Sequence, residues 1–553
     1  MIQRTAVLLL PGVLALVNTP LRAQTIPDAG RLLNDARPLP ALPGPRIDAL
    51  PEPQPAEQGP TSQTDVHFNV VAFHFEGVSA FSEAQLQDLL ADLRGSDRTL
   101  ATLSDAVARV TYFYRQHGYL LARAYLPEQH IDSGNIEIHV LEGRLGDIRL
   151  HNSSGLSDAD VRRRLERIGM DQVLRKTSLE SSLLLLSDIP GIVVRSALMP
   201  GAAVGATDLD VTVSDGSRVD ADVGIDNYGN RYTGQYHVSG NLALNNPSGI
   251  GDQLQINLMT SGREFNYGRV AWQLPVNDVG TRVGVAYASM AYRLGEDFSA
   301  LDAHGTARIG SIFLTHPLVR SRSFNLNGQL RFENKVLVDR IDLISDGSEK
   351  HLNNFTIGIF GDATDGFNGG AQSQGSVSVT VGNLKLDRNS ADLDAAGHRS
   401  QGSFIKGSMQ WARLQRLDDA NRLLVQLSGQ VAGGNLDSAE KISLGGPYGV
   451  RAYPSGEAPS DDALMLNLEW RRSITSQWQA LLFGDLARGR LNHSPIAADG
   501  ANLRTLSGIG LGASWTHPDG YRLQATLSWR TDGAPTAERD RMPRLWMQFS
   551  KSF

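Results

Sequence analysis

The sequence predicts a transmembrane antiparallel β-barrel of about 16 strands, preceded by two small α/β repeats. Three observations point there. From about Gly216 onward, apolar residues alternate with small or polar ones in run after run, and no helical stripe of comparable length intervenes. Glycine is abundant, 56 of 553 residues, and cysteine is absent. The N-terminus has the layout of an export signal, yet no later stretch approaches about 18 consecutive apolar residues.

Composition narrows the function classes. Without cysteine there is no disulfide scaffold, zinc ribbon or cysteine-dependent enzyme. Lys+Arg number 52 against 59 Asp+Glu, a net charge of -7, which does not suit phosphate neutralisation, so no nucleic-acid partner is expected. A mean hydropathy of -0.22 excludes a helical membrane protein.

The elements follow in order. Residues 1–23 read as a signal peptide. Arg4 precedes the apolar runs Ala6–Leu10 and Val13–Val17, and Ala23 supplies the small residue of a cleavage point. Residues 24–37 read as a short helix, with Pro27 suited to a first turn and Leu32, Leu33 and Ala36 forming a patch. Residues 38–65 hold eight of the 24 prolines and read as an extended linker.

Residues 66–145 form the first α/β unit. Phe68, Val70 and Ala72 alternate in an opening strand, with Phe73 and Phe75 on its other face. Ser82 and Gln85 fit a capping box ahead of one helix. Leu103, Val107, Val110 and Tyr114 mark a second helix, stopped by Gly118. Strands follow at Leu120–Leu126 and Asn135–Leu141. Residues 146–216 repeat the order, with Ser157 capping a helix, a second helix through Leu179, Leu183 and Leu186, and strands at Val193–Met199 and Asp208–Val213. Such a tandem repeat presents sheet edges that can capture an extended peptide.

Residues 217–553 are the barrel. Val283, Val285 and Tyr287 share a parity, as do Leu464, Leu466, Leu468 and Trp470; Tyr521, Leu523, Ala525, Leu527 and Trp529 form the longest set. Its 337 residues give about 21 per strand and connection for 16 strands, and 14 or 18 strands divide acceptably too. Short turns are expected at Asn246–Gly249, Pro317–Arg322 and His517–Gly520. Leu545, Met547 and Phe549 share a parity with the terminal Phe553, which reads as an assembly signal. In Trp478–Asp485, Trp478, Ala480 and Leu482 suit lipid, so Leu481, Phe483 and Asp485 face the lumen. Arg451 lies in a Gly/Pro-rich loop between strands; read from the residues alone it is a solvated loop residue and Asp485 a turn residue, although a guanidinium and a carboxylate confined in one lumen would favour a charge-assisted bond.

At this point the chain resembles a known family, the TpsB transporters of two-partner secretion (the ShlB/FhaC/HecB type), within the POTRA–barrel superfamily. The first repeat carries Tyr114-Arg115, Gly118-Tyr119, Ala122-Arg123-Ala124-Tyr125-Leu126-Pro127 and Val140-Leu141-Glu142-Gly143, which resemble a first POTRA domain. Tyr119, Arg123, Tyr125, Pro127, Glu142 and Gly143 are its motif positions. The second repeat carries Asp188-Ile189-Pro190-Gly191, Pro200-Gly201 and Thr207-Asp208-Leu209, similar to a second POTRA domain. Leu444 to Pro454 resembles the tip of the loop that folds back into the lumen, expected over about 441–462. The usual VRGY tetrad reads Val450, Arg451, Ala452, Tyr453, with Ala452 departing. The partner strand motif F-x-D-x-G reads Phe483 to Ala487, with Ala487 departing.

The resemblance implies an outer-membrane pore of a Gram-negative bacterium, with its POTRA domains in the periplasm. It would secrete one large TpsA-type exoprotein, unfolded and without ATP: an adhesin, haemolysin or contact-dependent toxin. The helix at 24–37 would be the plug. Outer-membrane lipid, the barrel assembly machinery and periplasmic chaperones would be further partners. No catalytic residue, cofactor or metal is expected, since no Walker loop, GxSxG or metal-spaced histidine pair appears. A barrel-assembly insertase of the same superfamily and a passive porin remain as alternatives.

Overall fold

The computed structural model describes residues 27–35, 67–131, 133–169, 173–203, 205–538 and 540–553. The signal segment 1–23 and the proline-rich linker 38–65 lie outside the described residues. A short helix, α1 (Ala29–Asp35), comes first.

The first α/β unit runs β1 (His67–Val70), β2 (Ala72–Glu76), α2 (Glu83–Leu89), β3 (Gly95–Thr99), α3 (Leu100–Gln116), β4 (Arg123–Tyr125) and β5 (Asn135–Leu141). Ser82 caps α2 and exchanges bonds with Gln85, the expected capping box. Leu103, Ala106, Val110 and Tyr114 line one face of α3 and are buried, each large side chain contributing about 1.5–3 kcal/mol. The single opening strand expected from alternation is in fact two. Val70 and Phe73 are both buried, and one pleated strand cannot turn residues three apart to the same face. The chain breaks at Val71, so that β1 pairs with β3 and β2 pairs with β5 in a separate sheet. Strand β3, Gly-Ser-Asp-Arg-Thr, lacks strand-forming side chains apart from its threonine and escaped the sequence reading. Strand β4 is also shorter than the Leu120–Leu126 expected.

The second unit runs β6 (Arg144–Asn152), α4 (Asp158–Glu166), α5 (Lys176–Ser187), β7 (Ile192–Pro200) and β8 (Ala206–Asp215), in sheet order β6-β8-β7. It has its own core, in which Leu165, Leu183 and Leu209 are buried.

The remaining sixteen strands, β9 (Val219–Asp226) through β24 (Arg544–Ser552), close into one antiparallel barrel. Closure pairs the backbone groups of every strand on both sides, which a hydrocarbon surround demands. β24 meets β9 from Gln548 opposite Asp226 to Ser552 opposite Asp222. Outward positions are apolar: Phe355, Ile357, Ile359, Val377, Val379 and Val381 are 40–54% exposed. Inward positions are mixed: Asp222, Asn241 and Asn257 are joined across three strands at 2.9 and 2.7 Å, while Met290, Leu337 and Leu352 belong to a buried apolar cluster. Strands β14 (Ala303–Arg320), β15 (Phe324–Ile341) and β16 (Asp346–Asp365) are 18, 18 and 20 residues long, well beyond the length needed to cross. Beyond the apolar belt, β16 turns Glu349 and His351 outward. The turn expected at Pro317–Arg322 begins later. Pro317 sits inside β14 at a register shift opposite Asn327, where a missing N–H is tolerated.

Candidate functional site in the barrel lumen

Strands β19 (Asn421–Ala432) and β20 (Asp462–Ser473) are joined by a long segment, 433–461, that folds back into the lumen. It starts eight residues before the expected 441. The extra residues matter, because the turn Ser438–Glu440 lies among them.

Arg451 reaches Asp485 inside the barrel. Its Nε and Nη2 donate to the two Asp485 carboxylate oxygens at 2.9 and 2.8 Å, and its backbone N–H donates at 3.0 Å. Asp485 stands on β21 (Trp478–Arg490), where Leu481, Phe483 and Asp485 are buried while Leu482 and Leu486 face outward. Phe483 places its ring 3.4 Å from the Arg451 guanidinium carbon, a cation–π contact. Glu469 was not foreseen. It accepts from Arg451 Nη1 at 2.5 Å and from Arg471 Nε at 2.7 Å, so two carboxylates balance two guanidiniums. Asn467 donates to Asp485 at 2.8 Å. The Arg451 carbonyl accepts from Ser528 and Trp546, each at 2.7 Å. The loop tip is thereby tied to strands on several sides. Val450 and Tyr453 are fully buried, and the Tyr453 hydroxyl donates to the Asp532 carbonyl at 2.9 Å.

The two departures from the expected motifs fit the packing. Ala452 is not among the residues with left-handed backbone, so its Cβ causes no strain there. Its methyl fits because Gly508 faces it: a Cβ at Gly508 would lie 2.6 Å from the Ala452 Cβ. Ala487 is fully buried beside Leu444 and Leu506.

A second centre joins α1 to this loop. Ala29, Leu32 and Leu33 are buried among Tyr232, Met290, Tyr292 and Ala439, so α1 lies inside the barrel. Asp28 accepts from the Arg31 N–H at 2.9 Å and from Ser438 Oγ at 2.5 Å, and pairs with Lys350 at 2.9 Å. Lys350 also pairs with Asp437 at 2.9 Å. Asn34 donates to the carbonyls of Ser438 and Lys441, both at 3.1 Å, and Arg31 donates to the Gly456 carbonyl. Gly30 lies against the loop: a Cβ there would come within 2.7 Å of the Ala439 nitrogen. The loop turn is itself clasped to the wall. Glu440, 2% exposed, pairs with Lys335 at 2.6 Å and Lys406 at 2.8 Å, and accepts from Asn354 at 2.8 Å. Lysines on strands carried no sequence signal of this role, because their partners lie far along the chain.

Residues 205–515 match the family described as haemolysin secretion/activation protein ShlB/FhaC/HecB. The chain belongs to this family. Residues 68–143 match the ShlB-type POTRA domain. The chain is 28% identical to the heme/hemopexin transporter protein HuxB of Haemophilus influenzae (strain 86-028NP), over 85% of this chain and 84% of that one. It is 25% identical to the outer membrane transporter CdiB of Escherichia coli, over 74% of this chain and 68% of that one. The solved structure of CdiB from Escherichia coli shares the fold, with a TM-score of 0.70 at 21% identity, covering 95% of this chain and 96% of that one. As a ShlB-type protein, the chain is an outer-membrane two-partner secretion transporter with its POTRA region in the periplasm, and its partner is an exoprotein.

Within the ShlB-type POTRA domain the motif positions divide. Glu142, 6% exposed, accepts from the backbone N–H groups of Ser79 and Ala80 at 2.7 and 2.8 Å, from Tyr114 at 2.9 Å and from the Ser79 hydroxyl. Burial works against its ionisation, but the Ser79, Ala80 and Tyr114 bonds outweigh it and hold the carboxyl below the usual range. Burial and the Glu142 carboxylate push the Tyr114 hydroxyl up. Gly143 makes the following turn with φ +77. Tyr119 is buried and accepts from Arg175 at 3.1 Å, which ties this domain to the second unit. Arg123 and Tyr125 are exposed on the outer sheet face, and Pro127 is half-buried beyond them. They lie apart from the lumen centres. Phe553 is exposed just past β24, its N–H donating to Ala221 at 2.9 Å.

Proposed function

We propose that this chain exports one large exoprotein of the adhesin, haemolysin or contact-dependent toxin kind, unfolded, through the barrel lumen. The observation that carries this reading is the lumen: α1 and the inward loop lie within it, and both are fixed by side-chain bonds that can be exchanged rather than by covalent closure. The 146–216 unit acts as a second POTRA domain. The pair receives the passenger on exposed sheet edges. Residues 24–37 act as a plug, and 38–65 as the tether on which it leaves. The inward loop sets the resting pore through Arg451 and Asp485. Transport needs no nucleotide and no catalytic residue; folding of the passenger outside the cell supplies the driving force. Periplasmic chaperones and the barrel assembly machinery act during biogenesis, with Phe553 as the assembly signal. The relative named for heme/hemopexin transport and the CdiB relatives indicate which passengers to try first.

The test is deletion of the gene for this chain, followed by comparison of culture supernatant and cell surface with the parent. One large exoprotein is expected to disappear from both and return on complementation. If none disappears while other outer-membrane barrels fall in abundance, the chain is an insertase instead.

A further inference from the structure

At the periplasmic mouth of the barrel, a cavity of about 300 Å³ opens where the second α/β unit meets the turn 276–281 and the end of β14. Four charged side chains line it: Arg164 of α4, Asp188 after α5, Asp278 in the turn, and Arg282 at the start of β13 (Arg282–Arg293). Arg282 shares its parity with Ala288, Met290 and Tyr292, which pack against α1, so it faces into the pore.

The two carboxylates already have counter-charges. Asp188 takes Arg320 in a two-point pair, Nε and Nη2 each at 2.7 Å. Asp278 faces Arg163 at 3.7 Å. Among the described residues the two lining guanidiniums have no carboxylate within ion-pair distance, although Arg282 lies in the field of the Asp188 carboxylate as well as that of Arg164. Arg164 Nη1 donates to the Asp160 carbonyl at 2.8 Å, and Arg282 Nη2 donates to the Asp188 carbonyl at 2.5 Å. These acceptors are neutral, and among the described residues neither arginine forms an ion pair. Arg164 is only 9% exposed. Two guanidiniums on one cavity, one of them buried, carry a desolvation and repulsion cost that an anion held between them would offset.

We propose that this cavity binds a carboxylate of an acidic segment in the polypeptide entering the pore. A carboxylate matches the planar guanidinium fork, and a polypeptide is what passes this mouth under the secretion reading, on which the identity of the occupant rests. One arginine belongs to the periplasmic unit and the other to the barrel. An acidic side chain held by both bridges receptor and pore, and it marks acidic segments of the passenger as those engaged at entry.

The experiment uses the purified full chain in detergent. Binding of a fluorescent glutamate-rich peptide is compared with that of a matched glutamine-rich peptide, with inorganic phosphate as competitor. The glutamate peptide is expected to bind and the glutamine peptide to bind far more weakly. Arg164→Gln and Arg282→Gln should each weaken glutamate-peptide binding about ten-fold, while Arg282→Lys retains most of it. Heat-modifiable gel mobility checks that each barrel is folded, and Arg282→Gln alone suffices if Arg164→Gln does not fold. Equal binding by wild type and variants overturns the proposal, as does binding of phosphate without the glutamate peptide. If peptide binding behaves as expected but gene deletion removes no exoprotein, the secretion reading fails and the carboxylate site stands.

Discussion

The Lys350 ammonium stands between Asp28 of the lumen helix and Asp437 of the inward loop, 2.9 Å from each. One wall residue thus holds two independent segments of chain in the lumen, and loss of either partner unbalances the other.

Lys350→Ala is expected to loosen α1. Each charge-assisted bond removed contributes about 1.5–3 kcal/mol, enough to raise the population of pores without the helix roughly ten-fold or more. Single-channel recordings in planar bilayers read this directly. A closed-state conductance unchanged from wild type would remove Lys350 from the plug mechanism.

Gly30→Leu tests the same contact sterically. The leucine side chain must enter space occupied by the Ala439 backbone, which cannot give way while Glu440 is clasped by Lys335 and Lys406. We expect α1 to be displaced and the conductance to rise as in the lysine variant. A cysteine placed on the helix should then label faster from the periplasmic side.

For Arg451→Ala we expect a normally inserted barrel with export reduced at least about ten-fold. The substitution leaves Asp485 and Glu469 facing each other with one guanidinium fewer, a local cost of about 3–5 kcal/mol for a broken buried pair. Arg451→Lys should not restore export, because an ammonium cannot reproduce the two-point bond to Asp485 and the third to Glu469. Export at the wild-type level by either variant, measured as surface exoprotein at equal barrel abundance, would separate this centre from transport.

Glu142→Gln should destabilise the ShlB-type POTRA domain, and by more at neutral pH than in acid. A carboxyl held below its ordinary value adds stability above the unfolded value, about 4.3, and loses it as the pH falls through the depressed folded value. The gap in melting temperature between wild type and variant, followed by the helical circular dichroism signal, should therefore narrow as the pH drops below that value. A gap independent of pH would mean that the carboxylate charge is not what holds Ser79 and Ala80.

The lumen centre was half legible in the sequence. Alternation in Trp478–Asp485 fixes which side Asp485 faces, but only the resemblance of Val450 to Tyr453 to the lumen-loop tetrad singles out Arg451 as its partner. Nothing local marks Glu469, which reads as one more lumen carboxylate until Arg451 and Arg471 converge on it. The role of the residues just before the loop tip is not legible for the same reason: Asp437, Ser438 and Glu440 look like a polar surface turn, and only their contacts with Asp28, Lys350 and Lys335 explain them. In the ShlB-type POTRA domain alternation does not show the break in the opening strand, because it records which residues are apolar and not which sheet each half joins.

By itself the sequence determined the class of protein and its order of parts: two α/β units, then a barrel whose dyad pattern separates lipid-facing from lumen-facing residues. These follow from periodicity, a local property that each strand or helix carries in its own residues. Only the tertiary structure decided how the lumen is occupied. Asp28 meets Lys350 and Ser438, and Ala452 fits against Gly508, across separations that closure of the barrel alone brings together. The stability of such pairs depends on burial and on which opposite charge arrives, and neither is written in the neighbourhood of the residue.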